Sequence, residues 1–305
     1  MSFYQSSLGW IAMRGGPWWQ WVIMFLVTPL SHSVVPVAKG EEPISRYAEW
    51  EVYPLISDLK TAEGPVWSDR GTLFFTEIFA GIVHEYWPET GKLKAIRTDS
   101  GGSNGLALDQ RGRLLMCEMQ GSRVSRLEED HRIATLWQNP DPGRGGPNDI
   151  VVARDGSAFF TMPRHRTVYR IANDDSVEPW LTDLGGINGV ILSRDEKTLF
   201  ITEYKAREVY AVAIDPSGDP GERGLFAKIV TEGTEHGADG MAVDTDGNLF
   251  VCCLDGIWIY DSDGKEIGQI LLRGERVTNC AFDDSESSLY ITTQQGLFRA
   301  GESRN

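Results

Sequence analysis

The chain has 305 residues, enough for one or two domains, and 41% of them are hydrophobic, the ordinary share for a globular protein. Its net charge of −15 excludes a nucleic-acid partner, because phosphate binding needs a basic face. The same surplus of carboxylates suits a cation, and solubility alone would also account for it.

The first predicted element is an export signal. Arg14 precedes an apolar stretch from Trp18 to Leu30, and small residues follow at Ser31, Ser33 and Ala38. An apolar run of about 13 residues is too short to span a bilayer and has the length of a secretory h-region. Met13 is an alternative start, and cleavage after Ser33 or Ala38 is expected. Residues 1–38 are therefore set apart, and residues 39–305 are read as one domain. The mature chain is expected to be periplasmic or extracellular, without a membrane span. An uncleaved N-terminal anchor is the alternative.

From residue 63 onward one short phrase recurs six times. It opens at Glu63, Asn104, Asn148, Asn188, Asp239 and Asn279, at intervals of 41, 44, 40, 51 and 40 residues. In the first phrase, apolar segments at 65–68 and 73–76 flank the turn Ser68-Asp-Arg-Gly71 and predict a hairpin. Ile82 to Trp87 alternates as a third strand, and Leu93 to Arg97 supplies a fourth. Four short strands about every 40 residues predict an all-β chain, a six-bladed β-propeller with four-stranded blades. The 51-residue interval carries an extra loop at Asp215 to Glu222, read as a surface insertion. The last repeat ends one strand short. Residues 46–54 are expected to supply it and close the ring, which would leave no open sheet edges.

A propeller brings equivalent positions to one channel. Glu63 and Asn279, 216 residues apart, become neighbours with the other four openers. Two carboxylates and up to four amides then converge, and carboxylates that close repel unless a cation lies between them. Oxygen ligands without His or Cys suit calcium first, then magnesium or manganese; zinc is possible but prefers His or Cys. Asx turns at the strand starts would explain any single opener. A second register, Glu77, Glu118 and Glu203, could form an outer acidic ring, and His236 could reach the site from three residues before Asp239. Cys117, Cys252, Cys253 and Cys280 are read as buried apolar groups, since a chain this long needs no disulfide staples.

These phrases resemble the senescence marker protein/gluconolactonase family, which includes regucalcin. The resemblance rests on Glu63-Gly-Pro, Asn104-Gly-Leu-Ala-Leu-Asp109, Pro147-Asn-Asp149, Asn188-Gly and Ala238-Asp-Gly-Met241, and it covers roughly residues 55–300. It implies a divalent-metal-dependent hydrolase of a small-molecule lactone, in which Glu63, Asn188 and Asp239 bind the metal. Asn148 is a further ligand or touches substrate. Asp239 is the candidate general base, so Asp239 and Glu63 form the catalytic pair; Asn104, Asn148 and Asn279 are assigned to substrate. The chain departs from the family at Gly143-Arg-Gly-Gly146, at Met162 to Arg166 and at Met119, all where substrate is read. A non-catalytic, metal-stabilised binding protein, or a phosphotriester or other ester hydrolase at the same site, are the alternatives.

Overall fold

The computed structural model describes residues 50–231 and 236–302, Tyr47, and the backbone of Ser33–Val35. The signal-segment expectation for residues 1–38 otherwise lies outside the described residues. The described chain is β-structure apart from two 3-10 turns, Pro142–Arg144 and Pro163–His165. No helix among the described residues is long and apolar enough to cross a membrane.

Consecutive strands pair antiparallel, because short acidic-Gly turns return the chain directly. The first phrase gives Ala62–Trp67, Leu73–Glu77, Ile82–Trp87 and Lys92–Arg97, one four-stranded sheet. Three more such sheets follow, starting at Ser103, Ile150 and Ile187. The remaining strands join a seven-stranded sheet that begins with Met241–Val243 and Leu249–Tyr260 and ends with Leu297–Gly301, Glu51–Ile56 and Ser33–Val35.

The described residues thus form five sheets where six separate blades are expected from the repeats. The reason lies in two long strands. Leu249–Tyr260 runs unbroken through the second and third strand positions of the fifth repeat, and Glu266–Phe282 runs unbroken from the fifth repeat into the sixth. Their pairing slips between Leu254, opposite Arg276, and Gly256, opposite Leu271. A bulge of this kind bends a sheet without ending its strands.

Glu51–Ile56 lies antiparallel to Leu297–Gly301, with Glu51 opposite Gly301 and Ile56 opposite Leu297. The backbone of Ser33–Val35 pairs in turn with Gln269–Leu271. Tyr47 is buried edge-on against Trp50 and Phe250, ring centroids 4.7 and 5.2 Å away, and its hydroxyl donates to Asp244 at 2.7 Å.

The apolar core is divided among the gaps between neighbouring sheets. Phe74 and Val83 of the first sheet pack on Leu114 and Met116 of the second. Leu115 and Cys117 pack on Phe160 and Met162 of the third, whose Phe159 and Trp180 meet Leu199 and Ile201 of the fourth. Phe200 and Val209 meet Leu249 and Val251 of the seven-stranded sheet, which touches the first through Tyr290 and Phe75. Within that sheet, Phe250 and Ile257 pack on Leu289 and Phe298.

A chain beginning at residue 45 is expected to lose only the edge segment Ser33–Val35. One beginning at residue 54 also loses Tyr47, Trp50 and half of the strand beside Leu297–Gly301. Removing two buried aromatics costs several kcal/mol, so its melting temperature should fall by about 10 °C or more relative to the longer chain. Calorimetric melts of the two chains check this.

Candidate functional site

Five of the phrases open at or just before the start of a strand and the sixth, at Asn279, opens inside Glu266–Phe282, and these segments are tied to one another. The Thr76 hydroxyl donates to the Asn104 carbonyl at 3.0 Å, and the Gly105 N–H to the Asn148 carbonyl at 2.8 Å. Thr161 donates to the Asn188 carbonyl at 2.6 Å, and Thr202 to the Asp239 carbonyl at 2.9 Å. The Gly240 N–H donates to Thr278 O at 2.8 Å, and the Thr278 hydroxyl to Ala62 O at 2.7 Å, next to Glu63. Six phrases are thereby linked, the last to the first.

The glycines after the openers serve this contact. A Cβ on Gly189 would stand 2.4 Å from the Asp239 carbonyl, and one on Gly240 2.0 Å from Cγ of Asn279. Only Gly64 also needs a left-handed backbone, at φ +49°. In the third phrase the glycine slot holds Asp149. Its Oδ2 accepts the Val190 N–H of the next phrase at 3.1 Å.

Glu63, Asn104, Asp149, Asp239 and Asn279 are all buried; Asn148 and Asn188 are half-buried. Burial pushes the Glu63 carboxyl up to about 8, helped by the charge of Asp149 and opposed by the Gly64 N–H and the Asn279 amide. Burial also raises Asp239 well above the usual carboxylate range, and the charges of Glu63 and Asp149 add to it. Asp149 rises to about 6 through burial, moderated by hydrogen bonds from the Val190 and Ile150 N–H groups and Asn279. Three carboxyl groups therefore oppose one another's ionisation.

Three of the openers line cavities. Asn279, with Asp149, lines one of about 390 Å³ that is otherwise walled mainly by strand residues such as Val66, Leu106, Val190 and Met241. Asn148 and Asn188 line a mouth of about 560 Å³ with Met119, Arg164, Tyr204 and Lys205. Asn279, expected at the substrate, instead spends its amide on Glu63 and Asp149, while its Oδ1 accepts the Cys280 N–H at 2.8 Å. Asn104 is buried, with only the Met119 sulfur near its amide at 4.0 Å. The Asn188 Oδ1 is a buried acceptor with no hydrogen-bond partner. Among the described residues no group of three or more His, Cys, Asp or Glu stands close enough to hold a metal ion.

The second acidic register does not form a ring facing solvent. Burial favours protonation of Glu118, but hydrogen bonds from Arg97, Arg123 and Ser125 outweigh it and hold the carboxyl below its ordinary value. Glu203 accepts the Gly186 N–H at 3.2 Å. All four cysteines are buried free thiols, and Cys117 and Cys252 occupy the position that Thr76, Thr161, Thr202 and Thr292 hold in the other phrases.

His236 does reach Asp239: its Nε2 is 3.4 Å from Oδ2 and 2.8 Å from the Val277 carbonyl. That carbonyl can only accept, so Nε2 carries the proton. Nδ1 then accepts from the Tyr204 hydroxyl at 2.9 Å. Burial lowers the His236 pKa, as do Arg276 and Arg207, against the opposing Val277 hydrogen bond, which keeps the ring neutral. Asp149 and Tyr204 escape a reading based on opener positions. The signal for Asp149 was its place in the glycine slot; Tyr204 had none.

Residues 61–295 match the profile of the SMP-30/Gluconolactonase/LRE-like region. The pentonolactonase of Haloferax volcanii is 32% identical over 246 residues, 78% of this chain and 82% of that protein. The structure of a gluconolactonase from Xanthomonas campestris superposes with a TM-score of 0.76 at 27% identity, covering 90% of this chain and 98% of the other. A calcium-binding regucalcin of Agrobacterium tumefaciens shares the fold, with a TM-score of 0.69 at 19% identity, over 80% and 90% of the two chains.

Gly189→Ala should destabilise the protein by about 2 kcal/mol or more, as overpacking against a fixed carbonyl does. Gly186→Ala, with nothing within 4 Å of the added methyl group, should change stability by less than about 0.5 kcal/mol. Denaturant melts of both variants measure the difference.

Proposed function

Because the chain belongs to the SMP-30/gluconolactonase/LRE-like family, we propose that it is a lactonase acting on a sugar lactone with the help of one divalent cation, calcium first. The observation that carries this reading is the buried trio Glu63, Asp149 and Asp239, which oppose one another's ionisation, together with the Asn188 oxygen that lacks a hydrogen-bond partner. Burying carboxylates without a counter-charge is costly, and a hard cation with oxygen ligands relieves that cost. Glu63, Asp239 and Asn188 would hold it, with Asn148 as a further ligand or a substrate contact. The bound cation would polarise the lactone carbonyl and favour the negative charge that develops on its oxygen.

The chain's own groups supply the rest. Asp239, once ionised, is the base that takes a proton from the attacking water. The neutral His236 ring, its Nε2 3.4 Å from Oδ2, packs beside that carboxylate without adding a charge. Asn148, which lines the mouth, would meet the substrate, and Asn104 is buried.

In the same reading the seven-stranded sheet contributes two blades, so that six surround the channel. The packing of Phe250 on Leu289 across the bulge supports this. The strand Glu51–Ile56 then completes the last blade and closes the ring. Residues 39–305 form one domain, and the segment Arg14 to Ala38 directs export.

Asp239→Asn keeps the shape and removes the proton acceptor, so turnover of glucono-1,5-lactone at saturating calcium should fall about 100-fold or more. Glu63→Gln should act through metal affinity and recover in part with added calcium. Unimpaired turnover by Asp239→Asn removes the base assignment.

Removing divalent ions has its own signature. An unfolded Glu titrates near 4.5 and Glu63 near 8, so the folded, metal-free protein binds the extra proton between those values. Its stability should therefore fall as pH rises from about 4.5 to about 8. Calcium should flatten that slope, and so should Glu63→Gln. Melting temperature against pH, with chelator and with calcium, checks both.

A further inference from the structure

The lining of the mouth runs against the charge of the chain. The protein carries a net charge of −15, yet the only charged side chains lining this cavity are Arg164 and Lys205. No Asp or Glu lines it among the described residues. Neither cation makes an ion pair with a described residue.

The two cations stand at equivalent turns of adjacent sheets. Arg164 follows the strand Ala158–Met162, and Lys205 follows Thr198–Glu203. Arg164 is exposed, but its backbone is held and its stem lies against the chain. The Arg144 guanidinium donates to its carbonyl at 3.3 Å. Its stem crosses Gly145, where an added Cβ would lie 3.0 Å from the Arg164 Cδ. Gly145 is itself tied down, its carbonyl accepting the Asn139 amide at 2.6 Å. Fixing the stem removes part of the rotamer entropy that a long cation loses on meeting an anion.

Asn148 and Asn188 border the same cavity on the side of the buried carboxylates. A neutral sugar lactone would call for hydroxyl partners at the mouth. Two cations with no ion pair among the described residues call for a negative group.

Resting on the lactonase reading above, we propose that the substrate is an anionic sugar lactone. Its second acidic group, phosphate or carboxylate, lies between Arg164 and Lys205, while the ring carbonyl points inward to Asn148 and Asn188. Hydrolysis adds water across the acyl C–O bond. The carbonyl carbon gains the hydroxyl and the ring oxygen gains the proton, so the anion is untouched and acts only in binding. It points outward because the buried carboxylates would repel it.

The test uses the full chain with calcium in two readouts. The first is kcat/KM on glucono-1,5-lactone, its 6-phosphate and a glucaric acid lactone. The second is calorimetric binding of the open-chain acids gluconate, 6-phosphogluconate and glucarate. At least one anionic ligand should be preferred over the neutral lactone, or over gluconate, by about tenfold or more at low salt, the scale of a charge-assisted contact. Which anion gains distinguishes phosphate from carboxylate. The ratio should collapse toward one in Arg164→Gln/Lys205→Gln, and shrink in 0.5 M salt. Arg164→Lys should keep most of it. Turnover of glucono-1,5-lactone with no anionic preference in either readout would overturn the proposal and leave the lactonase reading standing. A charge-dependent preference in binding without turnover of any lactone would support the anion site and remove the lactonase reading.

Discussion

The structure depends on the chain of hydrogen bonds that links the starts of neighbouring inner strands. Each bond joins a hydroxyl or N–H of one phrase to a backbone carbonyl of the next, and the Thr278 to Ala62 bond returns to the beginning across 216 residues. These groups are buried, so each would carry a desolvation cost of about 1–3 kcal/mol if left unpaired. Thr76, Thr161 and Thr202 therefore fix the spacing between phrases. The glycine slots let the strand starts approach to that spacing. The cores between sheets follow from it, because each phrase can then bury one face against each neighbour.

The same spacing creates the electrostatic problem that the site exploits. Drawing the strand starts together places Glu63, Asp149 and Asp239 in one buried region, where desolvation and mutual repulsion favour their neutral forms. Asn279 and backbone N–H groups offset part of this. The remainder is what a cation would relieve. Above the carboxylates the electrostatics reverse, since the mouth is lined by Arg164 and Lys205.

His236 shows how the scaffold constrains a side chain that seems incidental in the linear chain. The Val277 carbonyl takes its N–H and fixes its tautomer, Tyr204 occupies its other nitrogen, and the ring edge is held 3.4 Å from Asp239. Val277 and Tyr204 come from different sheets, so this arrangement needs the neighbouring strand starts to be in place.

The sequence by itself determined the β-architecture, the order of the hairpins and the openers Glu63 and Asp239. These follow from local pattern: alternation makes strands, acidic-Gly turns make hairpins, and a repeat near 40 residues puts equivalent positions at equivalent places. It also contained the Thr/Cys register thirteen or fourteen residues after each opener, and Asp149 in a glycine slot, since both are read by aligning the phrases. Tertiary structure decided the rest. The continuity of Glu266–Phe282, which joins two repeats into one sheet, depends on its pairing with Leu249–Tyr260 across the bulge and on no local signal. That Asn279 turns to the carboxylates while Asn148 and Asn188 face the mouth was set by which neighbours each amide meets. Glu118 was taken out of an acidic rim by two arginines 21 and 5 residues away. Side-chain partners across sheets are long-range facts, and a period in the chain fixes position along a strand but not what stands opposite it.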